Sequence, residues 1–169
     1  MTRRLLLGLL LPIGMMLGGC GLQPMYAGGS HGAVAQALSD VEIGPIAGQP
    51  GWLVRNALVD RLGADGHNKG RYRLDVVLDD QITGFGIRSN NTVTRERRTL
   101  RAHFTLVDAA NQTVLLDATA GSDAGIDVVT SEYAVIAAEQ TALERLSGEV
   151  ADQIVTRVAL YARQHPAKE

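Results

Sequence analysis

The stretch Thr99-Leu-Arg-Ala-His-Phe-Thr-Leu106 alternates strictly between apolar and polar side chains. Successive side chains of a β-strand point to opposite sides, so this stretch has one apolar and one polar face. The apolar set is Leu100, Ala102, Phe104 and Leu106. An apolar face paired with a polar one predicts a strand, here Thr92–Val107, in a sheet that is covered on one side only.

Two further stretches show the same alternation and predict strands on either side of this one in the sequence. In Arg71–Asp79 the apolar set is Tyr72, Leu74, Val76 and Leu78. In the later stretch the apolar set is Val114, Leu116, Ala118 and Ala120. Because only the short segment 108–112 separates the last two strands, we expect them to form an antiparallel hairpin.

The remaining elements are a short strand and two helices. Val41–Ile46 alternates in the same way and predicts a first strand. Pro50 opens a helical stretch in which Val54, Leu58 and Leu62 recur every four residues. A long helix is predicted from Thr130 to Arg163, where one apolar stripe recurs at helical spacing. The stripe comprises Leu143, Leu146, Val150, Ile154, Val158 and Tyr161.

These elements predict a single α+β domain over residues 41–165. The expected fold is a two-layer sandwich in which two helices pack on one face of a four-stranded, mostly antiparallel sheet. The expected element order is β-α-β-β-β-α.

The N-terminus is typical of a targeting segment. Residues 1–19 begin with Arg3 and Arg4, continue with an apolar run and end in two glycines before Cys20. This pattern predicts a signal peptide, and the sequence around the cysteine resembles the lipobox of bacterial lipoproteins. We expect cleavage before Cys20 and acylation of that residue, with residues 20–40 forming a lipidated N-terminus and tether. The alternative is an ordinary signal peptide followed by a free thiol.

Composition excludes several function classes. The 169 residues include one cysteine, which rules out an internal disulfide and multi-cysteine zinc sites. The formal net charge is −2 and 4% of residues are aromatic, so neither a basic surface nor a base-stacking platform for nucleic acid is expected. Removal of the leader with its two arginines takes the net charge to −4.

No catalytic or metal-binding constellation is apparent, and we expect neither enzymatic activity nor a cofactor. His31, His67, His103 and His165 are dispersed in the sequence without metal-ligand spacing. The segment Gly121–Gly125 superficially resembles a nucleophile elbow around Ser122, but we expect a surface turn because no helix follows it directly.

One stretch departs from the average charge of the chain. It contains five arginines and a single acidic residue, Glu96. The arginines are Arg88, Arg95, Arg97, Arg98 and Arg101. Their guanidinium groups suit bidentate binding of phosphate or carboxylate, which predicts an anion-binding strip. Protection of an edge strand by charge explains the same pattern equally well. Strand alternation places Arg98 on the opposite side from Arg95, Arg97 and Arg101.

Three short motifs resemble the lipopolysaccharide-assembly lipoprotein family (LptE), especially its alphaproteobacterial branch. Cys20–Tyr26 (CGLQPMY) is similar to the acylated start of that family. Val41–Ile46 (VEIGPI) and Leu53–Leu58 (LVRNAL) resemble its first strand and the helix that follows. The family fold, two helices on a four-stranded sheet, agrees with the predicted order of elements.

The resemblance implies an outer-membrane lipoprotein of the lipopolysaccharide translocon. Such proteins plug the LptD β-barrel, assist its assembly and contact lipopolysaccharide on its way to the outer leaflet. The implied partners are therefore an LptD-type barrel and lipopolysaccharide, and the implied position is periplasm-facing or within the barrel lumen. The alternative is another outer-membrane lipoprotein that serves as a structural or assembly module for a different envelope complex.

Overall fold

The computed structural model describes residues 32–63, 70–87 and 93–166. Cys20, the leader and Arg88 lie outside these residues. The described elements are α1 (Ala33–Ser39), β1 (Val41–Ile43), α2 (Gly48–Leu62), β2 (Tyr72–Ile87), β3 (Val93–Asp108), β4 (Val114–Asp127) and α3 (Glu132–Gln164).

The four strands form one sheet in the order β1-β2-β3-β4. The short β1 is parallel to β2, whereas β2–β3 and β3–β4 are antiparallel pairs. Val76 of β2 lies beside Phe104 of β3, which lies beside Ala118 of β4. The predicted α+β sandwich with a four-stranded, mostly antiparallel sheet is therefore confirmed.

The hydrophobic core lies between the sheet and the helices. Phe104 and Leu100 of β3 are fully buried, as are Leu146 and Val150 of α3 and Leu58 of α2. The 33 residues of α3 make a helix about 50 Å long, which matches the length of the longest strands. One apolar stripe along α3 can therefore cover the inner face of the sheet from end to end. We call the side of the sheet that faces the helices the inner face, and the opposite side the outer face.

The N-terminal boundary of the packed region differs from the prediction. Residues Ala33–Ser39, expected to belong to a tether, form helix α1, so that three helices are described instead of two. The reason is the spacing of Val34 and Leu38, which places both on one face of a helix. Leu38 is buried in the core and Val34 packs against it. The rest of the predicted tether, 20–31, lies outside the described residues.

The predicted surface turn at Gly121–Gly125 is wrong, because this segment lies in the middle of β4. Alternation continues through it, with Ala120, Ala124 and Ile126 buried on the inner face. Ser122 is the polar residue that interrupts the apolar pattern of the inner face. Its hydroxyl group donates a hydrogen bond to the Glu149 carboxylate on α3, so this polar group has a partner inside the fold.

The assignment of Val114 to the apolar face was also wrong. Val114 is 55% exposed. A register irregularity between Leu106 and Val107 lies at the same end of the β3–β4 pair and disturbs the alternation there.

Candidate functional site

The arginines of β3 divide between the two faces of the sheet. Arg95, Arg97 and Arg101 are exposed, and we call them the outer arginines. The β3–β4 register is continuous through this region, so Arg98 points to the inner face, as strand alternation predicted. Arg88, the fifth member of the predicted strip, lies outside the described residues.

Two of the outer arginines pair with aspartates of the neighbouring strand. The Arg95 Nε donates to Asp127 Oδ1 at 3.1 Å. Arg97 Nε lies 3.9 Å from Asp123 Oδ2. More than half of each of these side chains is accessible to solvent. Exposed pairs of this kind contribute about 0–1 kcal/mol, so a competing anion can displace the aspartates at low cost.

The third outer arginine lies flat along the sheet. Arg101 Nη1 donates to the backbone carbonyl of Ser122 at 3.2 Å. A Cβ atom at Gly121 would come within 2.5 Å of Arg101 Cδ, so the side chain occupies space that only glycine leaves free. Arg97 lies above the ring of Phe85, with 5.4 Å between its Cζ and the ring centroid, in a cation–π arrangement.

Aspartates of the flanking strands give the outer face a mixed charge. Asp127 and Asp123 lie on the β4 side and Asp79 lies beside Arg101 on the β2 side. His103 and Asp117 add a further pair, with 2.8 Å between Nε2 and Oδ1. The positive strip of the linear sequence is therefore a polar surface of alternating charge in three dimensions.

Sequence analysis missed these aspartates as members of the site. The signal was present, because Asp117, Asp123 and Asp127 all occupy odd positions of β4 and share one face. Placing a turn at Gly121–Gly125 ended the strand too early and hid the shared face.

Arg98 has a different environment from the outer arginines. Its Nε and Nη2 donate to the two carboxylate oxygens of Asp80 at 2.9 and 2.6 Å, and its Nη1 donates to the carbonyl of Glu139 on α3 at 2.9 Å. Only 11% of its side chain is exposed. The hydrogen bonds with Asp80 raise the pKa of Arg98 above its ordinary value. Arg98 therefore joins β2, β3 and α3, and each of its three guanidinium nitrogens already donates one hydrogen bond within the protein.

A second inner-face carboxyl lies nearby. Glu96 is half-buried, and its Oε2 has no hydrogen-bond partner among the described residues. Burial, together with the nearby Glu139 carboxylate, raises the pKa of Glu96. The inner face at this end therefore has a carboxyl group whose charged form is less favourable than that of a carboxyl group in water.

The described part of the chain shows no catalytic or metal-binding arrangement. Ser122 has Glu149 as its side-chain partner. No group of three or more histidine, cysteine, aspartate or glutamate residues suited to a metal ion occurs within 32–63, 70–87 and 93–166. None of the described helices is both long and apolar enough to cross a membrane.

The described residues form an α+β sandwich with helices on one face of the sheet and a mixed-charge outer face. The family model for LptE, described as lipopolysaccharide-assembly, matches residues 38–158. This match covers well over half of the chain. The protein belongs to the LptE lipopolysaccharide-assembly family, as the motifs in the sequence indicated.

Solved structures of bacterial lipoproteins have the same fold. A candidate lipoprotein from Caulobacter crescentus is 28% identical, with a TM-score of 0.66, and the alignment covers 80% of this chain and all of that one. Rare lipoprotein B from Shewanella oneidensis is 8% identical, with a TM-score of 0.58 over 73% of this chain and 96% of that one. A minor lipoprotein from Acinetobacter baumannii is 14% identical, with a TM-score of 0.56 over 71% and 91% of the two chains. No curated protein matches the sequence.

Proposed function

We propose that this protein is an outer-membrane lipoprotein of the lipopolysaccharide translocon. In this role it plugs an LptD-type β-barrel, assists assembly of that barrel and contacts lipopolysaccharide during delivery to the outer leaflet. It is not an enzyme and uses no cofactor. The observation that supports the proposal best is the match to the lipopolysaccharide-assembly family over residues 38–158.

The proposed anchor is Cys20, preceded by a signal peptide over residues 1–19. Each buried CH₂ of an acyl chain contributes about 0.8 kcal/mol, and one chain alone gives marginal binding. Acylation on both sulfur and amine would therefore be needed for durable attachment. Mass spectrometry of the mature N-terminal peptide should show a triacylated Cys20, and an unmodified cysteine would contradict the proposed anchor.

The outer face of the sheet suits the lumen of a barrel. The interior of an outer-membrane barrel is polar, so a plug needs a polar surface toward the wall. Pairs such as Arg95–Asp127 and His103–Asp117 give such a surface, because each group can exchange its present partner for one on the wall. The hydrophobic core lies on the opposite side of the sheet and does not depend on this contact.

The outer arginines are the proposed contacts for lipopolysaccharide phosphates. A guanidinium group binds phosphate bidentately through charge-assisted hydrogen bonds, and the exposed aspartate pairs that such binding would replace contribute only about 0–1 kcal/mol. Arg97 is the favourable position, since its aspartate partner is 3.9 Å away. Arg98 is the least favourable of the described candidates, because three of its five N–H groups already donate to Asp80 and Glu139. Arg88 lies outside the described residues, and it is proposed as a contact on the basis of the sequence alone.

Depletion of the protein in its native host tests the cellular role. We expect less lipopolysaccharide at the cell surface and less correctly assembled barrel protein in the outer membrane, both restored by the wild-type gene. Normal surface lipopolysaccharide after depletion would contradict the proposal. It would favour the alternative, an assembly module for a different envelope complex, in which case the barrel should also assemble normally.

A further inference from the structure

The sheet has two edges, and the backbone groups that point outward at each edge follow from the hydrogen-bond pattern. The N–H of Tyr72 donates to Asp40 O at 3.1 Å, and Leu74 O accepts from the N–H of Gly44 at 3.0 Å. These even-numbered residues of β2 therefore direct their backbone groups toward β1. Arg71 O accepts from Ala109 on the opposite side, toward the β3–β4 hairpin. The backbone N–H and C=O groups of successive residues in an antiparallel strand point alternately to its two sides. The N–H and C=O groups of the following even-numbered residues of β2 therefore point away from β3.

β1 covers only the beginning of this edge. The β1–β2 pairing ends at Ile43 and Leu74. Further along, within Leu78–Gly84, the outward-facing N–H and C=O groups belong to Leu78, Asp80, Ile82 and Gly84, with no hydrogen-bond partner for them among the described residues. Residues 81–86 are all exposed. The β2 edge, defined as Leu78–Gly84, is thus a row of unpaired backbone groups on a strand whose other side is hydrogen-bonded to β3.

The opposite edge of the sheet is blocked by a side chain at Gly121 of β4. Gly121 of β4 faces outward, and its N–H donates to Gln153 Oε1 at 3.1 Å while its C=O accepts from Gln153 Nε2 at 3.0 Å. A side-chain amide from α3 therefore takes the place of a neighbouring strand at this point. Natural proteins usually block sheet edges in some such way, so an open edge marks a pairing site or an aggregation hazard.

Side chains along the β2 edge define the chemistry of an incoming strand. Asp79 lies on the outer face and receives hydrogen bonds from the Gln81 side chain, with no ion pair to a described basic residue. A lysine or arginine opposite Asp79 would form a cross-strand pair. Val77 and Phe85, on the same face, are 69% and 37% exposed and would be covered by apolar residues of the same strand. An alternating strand with one central basic residue satisfies all three positions.

We propose that the β2 edge binds an extended segment of the barrel partner as an additional β-strand. The pairing adds backbone hydrogen bonds to Leu78, Asp80, Ile82 and Gly84, and the basic and apolar side chains set its register. This inference rests on the proposed function for the identity of the partner. The site adjoins the outer arginines of the central strand, since Arg97 lies above the Phe85 ring and Arg101 lies beside Asp79.

Proline substitution tests the edge without removing a side chain. The Gly84 N–H faces outward, so Gly84→Pro removes an edge donor while the β2–β3 ladder keeps its own hydrogen bonds. Gly84→Ala is the matched control, because it keeps the N–H. Tagged full-length variants are expressed in the native host, the outer membrane is extracted in mild detergent, and the recovered barrel is quantified. We expect Gly84→Pro to recover at least tenfold less barrel than Gly84→Ala.

Hydrogen exchange of the wild-type protein gives an independent readout that does not depend on how the variant folds. In the free protein the amides of Leu78, Asp80, Ile82 and Gly84 should exchange quickly, whereas the odd-numbered amides between them should be protected. In the purified complex the even-numbered amides should slow by at least tenfold. Unchanged exchange at these four amides would overturn the inference.

The outcomes separate the inference from the proposed function. Equal recovery of barrel with Gly84→Pro and Gly84→Ala overturns the strand addition and leaves the translocon role standing. A purified wild-type dimer that Gly84→Pro converts to a monomer, with normal barrel recovery, assigns the edge to a second copy and also overturns it. If wild-type protein recovers no barrel at all, the proposed function itself fails.

Discussion

The two faces of β3 use the same residue type in opposite ways. Arg97 and Arg98 are adjacent in sequence, yet 59% of one side chain and 11% of the other are exposed. On the outer face, Arg97 lies 3.9 Å from its aspartate and can exchange that partner. On the inner face, Arg98 is held by two hydrogen bonds to Asp80 and one to α3. The comparison shows that strand alternation alone separates an arginine available for binding from one that holds the fold together.

The largest effect expected on either face is the loss of the central inner-face side chain. Phe104 is fully buried, so Phe104→Ala should lower the free energy of unfolding by about 3–5 kcal/mol through the cavity that it leaves. The neighbouring outer-face change His103→Ala is the control and should cost less than about 1 kcal/mol. Urea unfolding followed by circular dichroism measures both. Similar costs for the two variants would contradict the assignment of the faces.

A smaller loss is expected for the inner arginine. Arg98→Ala leaves the Asp80 carboxylate and the Glu139 carbonyl without their donor, which should cost about 2–3 kcal/mol. Arg95→Ala on the outer face is the matched control, and its exposed ion pair predicts a change below about 1 kcal/mol. Chemical denaturation of the two variants under identical conditions compares them. Equal stability would remove the distinction between the two arginine environments.

The inner-face carboxyl predicts a pH dependence. The pKa of Glu96 is raised from its usual 4.5, so the folded state holds this proton more tightly than the unfolded chain does. The contribution of protonated Glu96 to the stability of the folded state is fully present below a pH of about 4.5. It is lost as the pH rises through the pKa of Glu96 in the folded protein. Glu96→Gln, which resembles the protonated form, should therefore be more stable than wild type at pH 7 but not at pH 4.

The reciprocal variant checks the cause of this pH dependence. Glu139→Gln removes the nearby charge and should shift the stability profile in the same direction as Glu96→Gln. Thermal unfolding between pH 4 and pH 8 measures the profiles. Parallel profiles for wild type and Glu96→Gln would rule out this residue as the origin of the dependence.

The outer arginines are expected to have the smallest effect on stability, although they are the proposed contacts for lipopolysaccharide. Replacement of Arg95, Arg97 and Arg101 together by serine should cost less than about 1 kcal/mol per position. Affinity for lipopolysaccharide should fall about tenfold or more, and its dependence on salt should weaken because phosphate pairs are lost. Titration of purified lipopolysaccharide at two ionic strengths tests this. Unchanged affinity would contradict the proposal that the outer arginines contact lipopolysaccharide; edge protection does not apply to them, because β3 is paired on both sides.

The element order and the inner set of β3 were predictable because apolar alternation and helical spacing are strong local signals. The outward direction of Arg95, Arg97 and Arg101 followed from the same period. Helix α1 was not predicted, since the two apolar residues that bury it, Val34 and Leu38, are too few to show a period. Formation of this short helix depends on packing of Val34 and Leu38 against the hydrophobic core, which is not visible in the local sequence.

The mixed charge of the outer face could not be read from the linear sequence. It depends on the register that brings Asp127 beside Arg95 and Asp79 beside Arg101. The sequence separates Arg95 and Asp127 by 32 positions. The positive charge counted along β3 alone therefore does not describe the outer face, where aspartates of β2 and β4 lie beside the arginines.

Mass spectrometry of the proteins that co-purify with the tagged wild-type chain after mild extraction of the outer membrane tests the central claim most directly. The account predicts that an LptD-type β-barrel protein is the main partner and that lipopolysaccharide is present in the same complex. Recovery of the chain without any such barrel, or with a different envelope complex in its place, would contradict the account.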